Sequence, residues 1–450
     1  MRFPILTFLL ICGTSTAADP VANLRTTGAE TFIGTPSVST GDAITITSRD
    51  GPSATVPLAE IKTLKIQRDN RPSETNIVSR FNSLPAPWRS RDVGSHSSPG
   101  NTTWKDGTFT LSVSTRARTE EFSAFHFVYR PVVGNCTMIA RVASIDNPDG
   151  NSIAGIMIAD GLTPTDDRAF LGVRAGDDTG DGGAQVRTWG YRGGSTKGKH
   201  RPDIRPPYWL KLTKANRNGV HAAISKDGKQ WETIADLRSG PKNDSCFIGL
   251  AASMLQRDEL SPVVIDNISF PNGSFQKAPA YPRTVLTTGT ELIADLVSFD
   301  QTHLNFAGNW RDLRLERAAV ARIEFVFPLG RDAKKLVGGS RQGAVLRSGD
   351  FAEGKFSDLT GSDITLTSPL FGNLSYPVTN EIDALVFRPT RPLKPETKYK
   401  IYLTNTSTIY ATEITASQTP NSLTLHEPVM GDFTINLDHV ASITPAPESD

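Results

Sequence analysis

The sequence predicts an all-β protein: a central β-sandwich with four small SH3-like or Sm-like β units around it. Three observations predict this class. Most apolar segments run roughly four to eight residues with period-two alternation. Turn formers are dense, with 37 Gly and 30 Pro in 450 residues. No segment keeps a helical period over three turns. The length exceeds what one ordinary hydrophobic core holds, so several domains are expected.

The chain opens with Arg2, an apolar run from Phe3 to Cys12, and small residues ending in Ala17 and Ala18. This is the pattern of a secretory signal over residues 1–18, and it predicts a secreted or periplasmic protein. A membrane-spanning helix needs about 20 apolar residues, so no transmembrane segment is expected in the mature chain. Bulky Ile11 before Cys12 disfavours lipoprotein processing.

A search for self-similarity finds four related segments. ITITSRDGPSATVPLAEIKTLKI, LNFAGNWRDLRLERAAVARIEF, ITLTSPLFGNLSYPVTNEIDALVF and LTLHEPVMGDFTINLDHVASI share one grammar. An alternating strand leads through a Gly or Asn turn to a second strand, a short helical connector and a third apolar pair. Upstream of the first three lies another match, LRTTGAETFIG, VLTTGTELIAD and VLRSGDFAEGK, with turns at Gly28, Gly289 and Gly349; Asn405 stands near the equivalent place in the fourth. The predicted units are 22–67, 283–327, 340–388 and 398–445. Polar stretches Gln67–Ser79 and Asn272–Tyr281 read as linkers, which leaves 80–272 as the central domain.

That domain contains FSAFHFVYRPVVGNCTMIARVASID, in which Gly134-Asn135 is expected to turn a hairpin. AGIMIADGL, AFLGVRAG, AQVRTWGY, PYWLKL, ISKDGKQW, CFIGLAAS and PVVIDNISF follow, and so many short strands predict two packed sheets. Asp227-Gly228 should make a tight turn, with Trp231 after it covering the core. Of Tyr208 and Trp209, one ring should pack inward and the other outward.

The ordered series FHFVYRPV, ARV, AGIMI, PYWLKL, ISKDGKQW, FIGLA and IDNISF resembles the secreted bacterial β-sandwich module of the concanavalin A-like lectin and glucanase superfamily, in the branch related to regulation-of-enolase-like proteins. The resemblance covers residues from near Arg80 to Phe270. It implies a jelly-roll of two antiparallel sheets in an extracellular multidomain protein, with polysaccharide as the favoured ligand.

Charge selects no partner, since 48 Lys and Arg balance 47 Asp and Glu. No unit interleaves aromatics with a basic cluster, so nucleic acid is not expected. Glycosidases of this superfamily need two carboxylates on one strand, in a spacing such as Glu-x-Asp-x-x-Glu, and none occurs. Zinc-helix, nucleophile-elbow and phosphate-loop motifs are also missing, so the sequence predicts a non-enzymatic binding protein. A scaffold of the cell envelope is the alternative, and a glycoside hydrolase the less favoured one.

Candidate site residues are few. Arg187, Trp189 and Tyr191 alternate with Val186 and Thr188 and so share a face, which gives either a sugar platform or core packing with surface trim. Asp177, Asp178 and Asp181 lie on the loop AGDDTGDGG, which suits either Ca2+ or plain solvation. Cys136 and Cys246 either pair as a disulfide or stay as two buried thiols. His126, inside FHFVY, reads as a packed, hydrogen-bonded side chain.

Overall fold

The computed structural model describes residues 20–39, 41–48, 52–68, 84–85, 87–94, 96, 98–115, 124–146, 152–176, 182–189, 195–197, 200–215, 219–254, 257–274, 282–308, 310–326, 329–360, 362–391, 393–394 and 396–447. Residues 1–18 of the signal expectation lie outside them, as does most of both linkers. Strands dominate, and among the described residues the strand pairs are antiparallel. The protein is all-β.

In the sandwich one strand belongs to both sheets. Phe125–Ile145 runs unbroken for 21 residues, so the hairpin expected at Gly134-Asn135 does not form. Gly134 instead takes φ 74°, a left-handed conformation that bends the strand without ending it. Its first half pairs with Ser245–Met254 in the first sheet; its second half pairs with Tyr208–Ala215 in the other.

Beyond Ser245–Met254 the first sheet continues through Ser152–Ala159, Arg168–Arg174 and Gly183–Trp189. From Tyr208–Ala215 the second continues through Gly219–Ser225 to Glu232–Leu237, while Arg257–Ser274 and Thr108–Thr115 flank its other side. Between them lies the core that alternation predicts. Ile156, Leu171, Val186 and Leu250 from the first sheet meet Met138, Leu210, Ile224 and Ile265 from the second.

The four small units each follow one plan. In the first, Val21–Thr26 pairs with Thr31–Ser39, and a meander through Ala43–Thr47 and Ala54–Pro57 leads by a short 3-10 turn to Ile61–Gln67, which returns to pair with Val21–Thr26. First and last strands pair in the same way at Arg283–Leu286 with Val320–Glu324, Gly343–Leu346 with Ile382–Val386, and Tyr399–Leu403 with Val440–Pro445.

The units also join edge to edge. Val320–Glu324 pairs with Ile382–Val386, Glu291 with Thr408, and Val440–Pro445 with Ile61–Gln67, which makes a sheet of 14 strands. Along that sheet the order of units is third, second, fourth, first. Amino- and carboxyl-terminal units therefore clasp each other, and Arg68 adds hydrogen bonds to the carbonyls of Val440 and Leu437 at 2.6 and 2.7 Å.

Sandwich and frame share a third buried cluster. On the outer face of the first sheet, Phe125, Phe127, Tyr129, Met157 and Phe247 pack with Val345, Ala384 and Val386 of the third unit and with Val326, Leu329 and Val337. Val337 ends a short helix, Arg331–Val337, that no periodicity could announce because it is seven residues long. The rings of Phe127 and Tyr129 lie 5.3 Å apart, and those of Tyr129 and Phe247 5.1 Å. Such pairs add about 0.5–1.5 kcal/mol beyond burial.

Candidate functional site

The predicted site residues scatter between two fates. On Gly183–Trp189, Ala184 and Val186 enter the core, so Arg187 lies on the outer face of the first sheet, in register with Phe170 of the cluster shared with the frame. Burial lowers the pKa of its guanidinium. Trp189 ends the same strand, while its side chain and Tyr191 lie outside the described residues. Asp177, Asp178 and Asp181 also lie outside them. Among the described residues no group of three or more His, Cys, Asp and Glu could hold a metal ion. Cys136 and Cys246 are free thiols, both fully buried in the sandwich core, and so are not bridged here.

His126 is 2% exposed, between Asp92 Oδ1 at 2.6 Å and Thr102 Oγ1 at 2.7 Å. Burial works to raise the Asp92 carboxyl, but the hydrogen bond and charge of His126, with His96 and the Gly100 amide, hold it below its ordinary value. The order carboxylate, imidazole, hydroxyl resembles a nucleophile relay. However, Thr102 is 4% exposed, and a Cβ on Gly100 would fall 2.4 Å from the imidazole, so the backbone closes the pocket around it. The trio ties three strands together.

The second sheet carries a different surface. Along Tyr208–Ala215, Leu210, Leu212 and Lys214 are buried, while Trp209, Lys211 and Thr213 point the other way and are half-buried. Tyr208 packs against the core and Trp209 does not, which matches the expected in-and-out pair. Trp231 departs from its expectation: it is half-buried outside the core cluster, with Lys211 Nζ 4.2 Å from its ring centre. That cation–π contact fixes both side chains on the outer face.

The turn between Gly219–Ser225 and Glu232–Leu237 sets this corner. Gly228 has φ 73°, and a Cβ there would lie 2.9 Å from the Trp209 ring, so both conformation and space require glycine. Asp227 Oδ1 accepts from the amides of Lys229 at 2.8 Å and Gln230 at 2.9 Å and from Ser225 Oγ at 3.0 Å. These bonds hold the carboxyl at about 2. Its folded pKa lies below the ordinary 3.8, so its stabilising contribution is complete above that value and is lost as pH falls toward 2. Carbon-detected NMR should show Asp227 titrating near pH 2, and Ser225→Ala should move it upward; titration near 4 would contradict the turn geometry.

Next to Trp209 in register stands Arg141, paired with Asp266 through Nε–Oδ1 at 2.8 Å and Nη2–Oδ2 at 2.5 Å. The Arg141 bond holds the Asp266 carboxyl below its ordinary value. Two indoles, an ammonium and a forked ion pair thus share one sheet face. Aromatic faces can stack on sugar rings, and the charged fork can bond to hydroxyls. The sequence signal for this surface was the alternation in YWLKL, overshadowed by the assignment of Trp231 to the core.

No protein-family model matches the chain, and no curated protein matches it. Among solved structures it is similar to a xylan β-1,4-xylosidase from Bacillus halodurans C-125, at 12% identity and TM-score 0.31, over 55% of this chain and 52% of that one. It is also similar to the VIP36 exoplasmic/lumenal domain in a Ca2+/Man3GlcNAc-bound form, at 12% identity and TM-score 0.27, over 43% and 86%. A third is a Bacillus subtilis protein of unknown function with a galectin-like fold, at 15% identity and TM-score 0.23, over 42% and 91%. The chain spans about half the length of the xylosidase. At these scores the matches assign no activity. They do correct one expectation: a xylosidase stands among them, so the reading of the chain as a non-enzyme is withdrawn.

Proposed function

We propose that this protein binds a polysaccharide on the outer face of the second sheet of its sandwich. The single observation that carries this reading is the pair of half-buried indoles, Trp209 and Trp231, set beside Lys211 and the Arg141–Asp266 fork. A flat aromatic platform with a few fixed polar groups is how proteins hold a chain of pyranose rings. The frame covers much of the first sheet's outer face, which leaves the second as the contact surface of the sandwich. The amino-terminal apolar run supports export to an extracellular or periplasmic space, where such polymers occur.

Retention of the full chain on insoluble xylan, mannan, cellulose and mixed-linkage glucan tests this. At least one polymer should retain it, and Trp231→Ala should weaken retention about tenfold, the loss of roughly 1.4 kcal/mol of stacking. An unchanged melting temperature would show that the variant is folded. Retention by none of the four, or retention indifferent to both Trp231→Ala and Trp209→Ala, would overturn the reading.

A further inference from the structure

Where the last strands of the second and third units pair, a surface cleft of about 870 Å3 opens beside the seam. Arg317 enters it from the 3-10 turn before Val320–Glu324, Arg388 from just beyond Ile382–Val386, and Lys355 from the start of Lys355–Thr360. Three cations from two units therefore converge on one cleft, although the whole chain is nearly neutral.

Their surroundings leave that charge largely uncompensated. Arg317 donates to two neutral backbone carbonyls, Phe356 O at 2.9 Å and Asp300 O at 3.4 Å, and lies 5.3 Å over the Phe387 ring. The Arg388 Nε is buried without a hydrogen-bond partner. Among the described residues no carboxylate forms an ion pair with Arg317, Arg388 or Lys355. Glu316 lines the cleft, and Asp300 stands behind it with one oxygen already bonded to Thr302 and His303. Burial, followed by the charge of Arg388, lowers the pKa of the Arg317 guanidinium against the opposing pull of Asp300. Two guanidiniums that line one cleft with no carboxylate partner among the described residues form a place an anion would relieve.

We propose that this cleft is a second ligand site, which takes a carboxylate of an acidic polysaccharide, such as a uronate unit, between Arg317 and Arg388. A planar guanidinium matches a carboxylate fork better than an ammonium does, and Lys355 at the rim adds long-range attraction. Gln342, Ser357 and Thr367 line the same cleft; the two hydroxyls already donate to Thr365 O and Asn373 Oδ1 and so are left as acceptors for sugar hydroxyls, while the amide can donate or accept. A lone small anion would leave most of that volume empty; a chain of sugar rings would fill it. The site is separate from the tryptophan face of the sandwich, so either can fail without the other.

Isothermal titration calorimetry of the full chain tests the assignment with hexagalacturonate, its methyl ester, a hexamannuronate and acetate. One of the two uronate hexamers should bind, its neutral ester at least about tenfold more weakly, and affinity should fall as salt rises. Arg388→Gln should weaken binding about tenfold and exposed Lys355→Gln severalfold, whereas Lys334→Gln, an exposed charge on the helix Arg331–Val337 outside the cleft, should leave it unchanged. Lys355→Gln keeps the test decisive should Arg388→Gln misfold. Failure of both hexamers to bind, equal binding of acid and ester, indifference to both substitutions, or acetate binding as tightly as the hexamer would each overturn the proposal.

Discussion

Replacing Asp383 with alanine should destabilise the full chain by about 3–5 kcal/mol, the cost of removing one partner of a buried ion pair. Asp383 receives Arg91 through both carboxylate oxygens, Nη1 lying 2.7 and 2.8 Å away, with Arg91 1% and Asp383 9% exposed at the side chain. Arg91 belongs to the sandwich and Asp383 to the third small unit. Arg91 Nη2 also donates to Arg347 O at 2.6 Å, and the Arg347 side chain approaches the same carboxylate at 3.9 Å. Removing that carboxylate leaves two buried guanidiniums facing each other. Urea denaturation should show the loss, and Arg91→Ala in the same background should add much less than it costs alone. A shift below about 1 kcal/mol would mean that the apolar cluster alone joins sandwich and frame.

Gly249→Ala should cost about 3 kcal/mol or more, at the upper end of overpacking penalties, because the strain falls on backbone that cannot rotate away. A Cβ at this position would lie 1.9 Å from Val128 O and 2.7 Å from the Tyr129 Cα on the neighbouring strand. Gly155 has the same problem, with Leu171 O at 2.0 Å. In contrast, Ala251→Gly on the same strand should cost only about 1 kcal/mol, as it adds backbone freedom and removes one methyl. Melting of Gly249→Ala close to the parent temperature would show that the strands spread freely, and would contradict the tight backbone approach.

These two sites show how far the sequence could be read. Period-two alternation located strands such as Tyr208–Ala215 and told which of their side chains would enter the core, because that information lies within a few neighbouring residues. Ser152–Ala159 carried a further signal, since all eight residues are buried. A strand without a polar face must be covered on both sides, a consequence of the apolar run AGIMIA that was not drawn from the sequence. What would cover it was not written there. The face holding Arg187 looked like an available platform, yet its neighbours Phe170 and Met157 belong to the cluster shared with the frame.

By itself the sequence determined the strand content, the inward and outward faces of the second sheet, and the turn at Asp227-Gly228, all of which follow from local stereochemistry and burial. Only the tertiary structure decided that Gly134 bends one strand through two sheets, that the small units stand in the order third, second, fourth, first, and that Arg317 and Arg388 converge on one cleft. Those outcomes depend on which surfaces fit across separations of tens to hundreds of residues. Every unit offers similar edges, so no local pattern distinguishes one partner from another; the choice is made by packing and charge complementarity summed over the assembled fold.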